Sequence, residues 1–159
     1  MNIESNKEIF LEKVIGSKNQ IDILFKLLIK RKHNISNVST PSYQEHVKFV
    51  KKNPYRAWYL IIVNDLYIGS AYIMRNNCIS ISLEQDTLFF SNVLKLLFRK
   101  HKPLPKVKSL RPPYFYLNIA PKNKETELEL IKIGATKIQL TYSLEHLTTN
   151  FLSKTYDSN

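Results

Sequence analysis

The segment Trp58-Tyr59-Leu60-Ile61-Ile62-Val63-Asn64-Asp65-Leu66-Tyr67-Ile68-Gly69-Ser70-Ala71-Tyr72-Ile73-Met74-Arg75-Asn76-Asn77-Cys78-Ile79-Ser80-Ile81-Ser82-Leu83 decides the fold. It holds three short β-rich runs, Trp58 to Val63, Tyr67 to Met74 and Cys78 to Leu83, separated by Asn64-Asp65 and by Arg75-Asn76-Asn77. Asn and Asp tolerate the left-handed backbone of tight hairpins, so the spacing predicts an antiparallel meander.

Toward the N-terminus, Ile9 to Val14 reads as a strand. Ser17-Lys18-Asn19-Gln20 has capping-box spacing and predicts a helix with an apolar stripe of Ile21, Leu24, Phe25 and Leu28. Ser42 and Glu45 repeat that spacing before a second helix, which carries Tyr43, Val47 and Val50 on one face and ends before Pro54. Toward the C-terminus, Leu88, Phe89, Val93, Leu96 and Leu97 predict a third helix reaching Lys100, with Asp86 or Thr87 as its cap. A basic connection, Lys102 to Pro113, leads to a strand at Tyr114 to Ile119. Asn123 opens a fourth helix that Gly134 ends, and Thr136 to Leu144 closes as a strand alternating Ile138, Leu140, Tyr142 and Leu144. The class is α+β with a mixed sheet.

At 159 residues, with 43% hydrophobic and 23% charged residues, the chain fits one well-buried domain and not a disordered or fibrous class. We place that domain at residues 1–145 and a tail at 146–159. Apolar runs fall far short of the ~20 residues a membrane-spanning helix needs. The opening residues lack the basic start and apolar core of a signal peptide, and Cys78 is the only cysteine, so no intrachain disulfide forms and a cytoplasmic location is expected. The net charge of +11 is compatible with polyanions, although a Lys-, Asn- and Ile-rich genome would produce it as well.

The predicted element order resembles that of the GNAT superfamily of N-acetyltransferases across nearly the whole chain. Pro41-Ser42-Tyr43-Gln44-Glu45-His46-Val47-Lys48-Phe49-Val50, Asn53-Pro54-Tyr55-Arg56-Ala57-Trp58-Tyr59 and Ile68-Gly69-Ser70-Ala71-Tyr72 look like a bacterial branch that acetylates amino sugars and other small amines. Asn118-Ile119-Ala120-Pro121-Lys122-Asn123, Gly134-Ala135 and Ile138-Gln139-Leu140-Thr141-Tyr142 are similar to the family's closing strand-helix-strand element. The resemblance implies a mostly antiparallel twisted sheet flanked by helices, with a parallel pair of strands splayed apart. Acetyl-CoA, the acyl donor, would lie in that splay.

For the cofactor the resemblance points to the edge of the fourth strand, Ile79, Ser80 and Ile81. It also points to Ser91 and Asn92 at the third helix start, and to Asn118 and Asn123. Helix amides there would hold the pyrophosphate. The family's glycines are missing from Glu84 to Val93; Glu84 and Asp86 put like charge near the phosphate, and Leu88, Phe89 and Phe90 are bulky. Lys95, Arg99, Lys100 and Lys102 are the available compensation. For proton transfer the candidates are Glu45 and His46 on the second helix and Tyr142, with Tyr116 and Tyr72 as alternatives, because Ile131 occupies the family's usual acid position. Glu45 also serves as a capping-box partner, His46 borders an apolar face, and Cys78 suits a buried strand position.

The expected partner is a small-molecule amine; a homodimer is compatible with the sequence, no membrane association is expected, and no metal ligand spacing exists. A catalytically degenerate GNAT-like binding module is the rival function, motivated by the missing glycines and Ile131. The stretch from Arg99 to Arg111, free of acidic residues and followed by Tyr114, Phe115 and Tyr116, suits nucleic acid, but a solvated loop near the cleft entrance is the more economical reading.

Overall fold

The computed structural model describes residues 8–31, 40–84 and 87–143. Five strands, β1 (Ile9–Lys13), β2 (Ala57–Val63), β3 (Leu66–Ile73), β4 (Cys78–Leu83) and β5 (Tyr116–Leu117), form one sheet in that order. The first four pair antiparallel, and β5 pairs parallel with β4. The helices are α1 (Lys18–Ile29), α2 (Tyr43–Lys52), α3 (Phe90–Lys100) and α4 (Lys124–Lys132). Asn64 and Asp65 take φ of 49° and 62°, and Asn77 takes 71°, so the hairpins use the left-handed backbone their residues favour. Among the described residues no helix is long and apolar enough to cross a membrane.

Side chains alternate across the sheet and build two cores. Ala57, Tyr59, Ile61, Ala71, Ile73 and Ile79 meet Phe90, Val93, Leu94 and Leu97 of α3 on one face. On the other, Trp58 and Leu60 pack with Val14, Ile21, Leu24 and Val50, which seats α1 and α2. Burying each such large aliphatic side chain stabilises the fold by about 1.5–3 kcal/mol.

The caps differ in detail. Ser42 and Glu45 form the complete capping box. At α1, Ser17 Oγ accepts from the Gln20 N–H, but the buried Gln20 side chain turns elsewhere: its Oε1 accepts from Ile15 and Gly16, and its Nε2 donates to Glu12 and the Lys13 carbonyl. That places Gln20 as a clamp between β1 and α1. A 3-10 turn, Thr87–Phe89, precedes α3, so Phe89 holds the cap position and its own side chain makes no capping hydrogen bond; Asp86 lies outside the described residues.

The expected closing strand does not form within residues 136–143, where Ile138, Leu140 and Tyr142 are 59%, 69% and 78% exposed. Leu144 and the tail lie outside the described residues. A strand needs a neighbour's ladder, and β5 has only two residues in its own. α4 buries none of its residues fully, and Leu130 packs only partly against the core beneath α3.

Asn77 ties β5 and the basic connection to the β3–β4 hairpin. It is 0% exposed; its Nδ2 donates to the carbonyls of Leu104 and Pro112, its Oδ1 accepts from Leu104 N–H, and its carbonyl accepts from Tyr116 N–H. Arg111 adds bonds to the Arg75 and Pro105 carbonyls. The connection is exposed over most of its length, as a solvated loop is, and it is clamped at the end of the sheet where β4 begins.

His46 joins α2 to α1. At 5% exposure its Nε2–H donates to the Ile21 carbonyl, and its ring packs on Phe25. Burial lowers its pKa, so the fold favours the neutral ring.

Two outcomes are expected. Asn77→Gly keeps the left-handed backbone but removes three side-chain hydrogen bonds, so Asn77→Gly and Asn77→Ala should each lose about 3 kcal/mol, with a melting temperature lower by roughly 6–12 °C. Because the folded-state pKa of His46 lies below its unfolded value, its contribution is present above pH ~6.5 and lost as pH falls through the folded pKa. Urea midpoints of the wild type should therefore fall more steeply on acidification than those of His46→Phe.

Candidate functional site

Among the described residues β4 and β5 pair at Cys78–Tyr116 and Ile79–Leu117 and at no later position. The parity of β4 follows from its hairpin: Met74 N–H donates to the Cys78 carbonyl, and Glu84 N–H donates to the Ile68 carbonyl. Even-numbered residues of β4 therefore turn their main-chain groups to β3, and Ile79, Ile81 and Leu83 turn theirs the other way. Ile79 lies within the paired part, while Ile81 and Leu83 lie beyond it, with no strand paired to that edge among the described residues. Ser80, singled out with Ile79 and Ile81, engages Tyr72 through its main chain. Leu83 was overlooked in the sequence, although counting in twos from the Asn77 turn would have found it.

At the point of parting, Asn118 Nδ2 lies 3.6 Å from Cys78 Sγ. Cys78 is 5% exposed, and burial pushes its thiol pKa up. Tyr116 is half-buried beside it, and burial followed by the Cys78 charge holds its phenol above the usual range. Asn123 Oδ1 accepts from Thr126 N–H at 3.1 Å and caps α4.

Ser91 and Asn92 lie in the first turn of α3, which contains no acidic residue. Glu84 is drawn into an ion pair with Lys30 at 2.9 Å. The bulky residues separate: Phe90 is 3% exposed in the core, and Leu88 is 70% exposed. Arg99 and Lys100 fall in the last turn of this 11-residue helix, about 15 Å from its start, so with Lys102 they sit at the end away from the expected phosphate position. Lys95 alone of the four is nearer the start.

The sheet face under α1 and α2 carries a polar floor. Tyr72 lies between Trp58 and Ser80, and Ser70 lies between Leu60 and Ser82. Tyr55 stacks on Tyr72 with centroids 3.8 Å apart and meets Trp58 edge-on at 5.0 Å. Burial, reinforced by Tyr72, pushes the Tyr55 phenol up. Arg31 Nε donates to Ser82 Oγ at 3.1 Å, in a shallow hollow also lined by Leu27, Gly69 and Glu84. A Cβ on Gly69 would stand 2.2 Å from the Ser82 carbonyl oxygen, so only glycine lets β3 approach the open end of β4 this closely.

The acid–base candidates have other surroundings. Glu45 is exposed, and its Oε2 accepts from the N–H and O–H of Ser42, which lowers its pKa. His46 is enclosed between α1 and α2. Tyr142 stands exposed on the irregular segment after α4. Among the described residues no three His, Cys, Asp or Glu side chains gather into a metal-holding group.

No protein-family model matches the chain, and no curated protein matches it. Solved structures do. A domain from Methanocaldococcus jannaschii DSM 2661 is 16% identical, with a TM-score of 0.62 over 87% of this chain and 94% of that one. A possible acetyltransferase from Clostridium difficile 630 is 12% identical, with a TM-score of 0.54 over 85% and 95%. Aminoglycoside N-acetyltransferase AAC(6')-Iy, solved in complex with CoA, is 9% identical, with a TM-score of 0.55 over 89% and 97%. The likeness is one of fold: this chain has a GNAT-like acetyltransferase fold with its parallel pair at the sheet edge.

Proposed function

We propose that the protein transfers an acetyl group from acetyl-CoA to a small primary amine. The end of β4–β5 pairing after two residue pairs carries this reading, because it leaves the main-chain groups of Ile81 and Leu83 without a paired strand among the described residues. These groups suit the amides of a pantetheine arm. The amides at the start of α3, in a first turn without a carboxylate, suit the pyrophosphate, and the Lys30–Glu84 pair offsets charge nearby.

Transfer forms a bond from the amine nitrogen to the acyl carbon and breaks the carbon–sulfur bond. The nitrogen loses a proton and the departing sulfur takes one. Tyr116 stands in the paired stretch, one residue before β4 and β5 cease to pair, and its raised phenol pKa keeps its O–H protonated, which supports it as the donor. Glu45, His46 and Tyr142 occupy a cap, a packed interhelical bond and an exposed segment, so we rest the acid role on Tyr116. Ser80, Ser82, Arg31 and the Tyr55–Tyr72 stack support a hydroxylated acceptor such as an amino sugar, the kind of compound named for the aminoglycoside acetyltransferase. Ile131, 61% exposed on α4 at the family's acid position, is the observation that favours a non-catalytic binding module instead.

Acetyl-CoA at ~100 times its dissociation constant should stabilise the folded chain by about 2.7 kcal/mol, read as a raised melting temperature. With an amino-sugar panel, free thiol release should be measurable, and Tyr116→Phe should slow it about 10²-fold without removing the thermal shift. No shift with any acyl-CoA would end the transferase reading, and a shift without thiol release would favour the binding module.

A further inference from the structure

The segment clamped by Asn77 is a rigid, cationic tongue. Val107 and Arg111 exchange both main-chain hydrogen bonds, at 3.0 and 2.9 Å, around a turn in which Ser109 takes φ of 63°. Arg56 Nη2 donates to the Lys102 carbonyl at 2.8 Å, Arg111 donates to Arg75 and Pro105, and Asn77 holds Leu104 and Pro112. These bonds hold the tongue in place through its main chain, and its lysines project from it.

From Asp86 to Glu125 the chain contains no Asp or Glu between those two. Arg75, Arg99, Lys100, Lys102, Lys106 and Lys108 are exposed around the tongue. The ion pairs between described residues, Lys30–Glu84, Lys124–Glu127, Lys132–Glu129 and Lys137–Glu127, all lie elsewhere. Ring faces border the same surface. Phe98, 49% exposed, lies parallel to Phe115 at 5.6 Å and 6°, and Tyr114 is 49% exposed.

We propose that this tongue, with Phe98 and Tyr114, is a docking surface for single-stranded nucleic acid. A preset row of cations tracks a phosphate backbone, and exposed aromatic faces accept unstacked bases regardless of sequence. The rings decide against a lipid surface, because they lie at the base of the tongue, and only Val107 and Leu110 are exposed apolar residues near its tip. The surface lies at the zipped end of the β4–β5 pair, away from the open gap, so it stands independently of the transferase proposal.

The test is fluorescence anisotropy of the full chain with a labelled oligouridylate of about 20 nucleotides, titrated across salt concentrations. Binding should weaken with salt along a log–log slope of roughly 0.7 per phosphate neutralised, and Lys106→Gln with Lys108→Gln should flatten that slope by about 1.4. Tyr114→Ala should weaken binding about tenfold and leave the slope unchanged. All three sites are exposed, and an unchanged melting temperature verifies folding. Absence of binding at low salt, or binding indifferent to all these variants, overturns the proposal. So does tighter association with phosphatidylserine vesicles that Leu110→Ser abolishes, which would assign the tongue to lipid.

Discussion

Asn77 is the contact on which the arrangement of this molecule depends. A fully buried amide at a left-handed turn position satisfies three main-chain partners in the connection after α3, and its own carbonyl receives the N–H of Tyr116. An unpaired polar group in that position would carry a desolvation penalty, so the connection must pass where the amide reaches it. The first residue of β5 is thereby set beside the first residue of β4. Without that anchor, a two-residue parallel pairing would have little to hold its register.

The gap follows from the same anchor. β4 pairs with β3 from Ile79 to Leu83, whereas β5 pairs with β4 over its two residues alone, so the two strands share direction but not extent. Gly69, with the irregularity between Ile61 and Ile62, allows β3 to close on the end of β4 at Leu83. One side of that end carries α3, rooted by Phe90 and Leu97; the other carries the serine and tyrosine floor beneath α1 and α2. A site placed there has a main-chain edge, a helix start and a polar wall, each supplied by a different element.

Charge is organised by position as much as by count. Glu84 looked adverse in the sequence because it precedes α3, yet it is paired with Lys30 across 54 residues. The basic residues expected to compensate lie mostly at the far end of α3 and on the tongue, where they face a different surface. Sequence distance was a poor guide in both cases, because a helix carries its two ends apart while a hairpin brings distant residues together.

Local chemistry was legible before the fold was known. The Asn-containing hairpins, the Ser42–Glu45 box, the Asn123 cap and the positive φ of Gly134 all follow from residues within a few positions of one another, whose hydrogen bonds close without help from the rest of the chain. The short length of β5, the irregular course of residues 136–143, the enclosure of His46 and the choice of Ile81 and Leu83 as the open edge were not legible there. Each depends on which distant segment supplies a hydrogen-bond partner or a covering side chain, and that is settled only when the Asn77 anchor, the two cores and the sheet register are satisfied together.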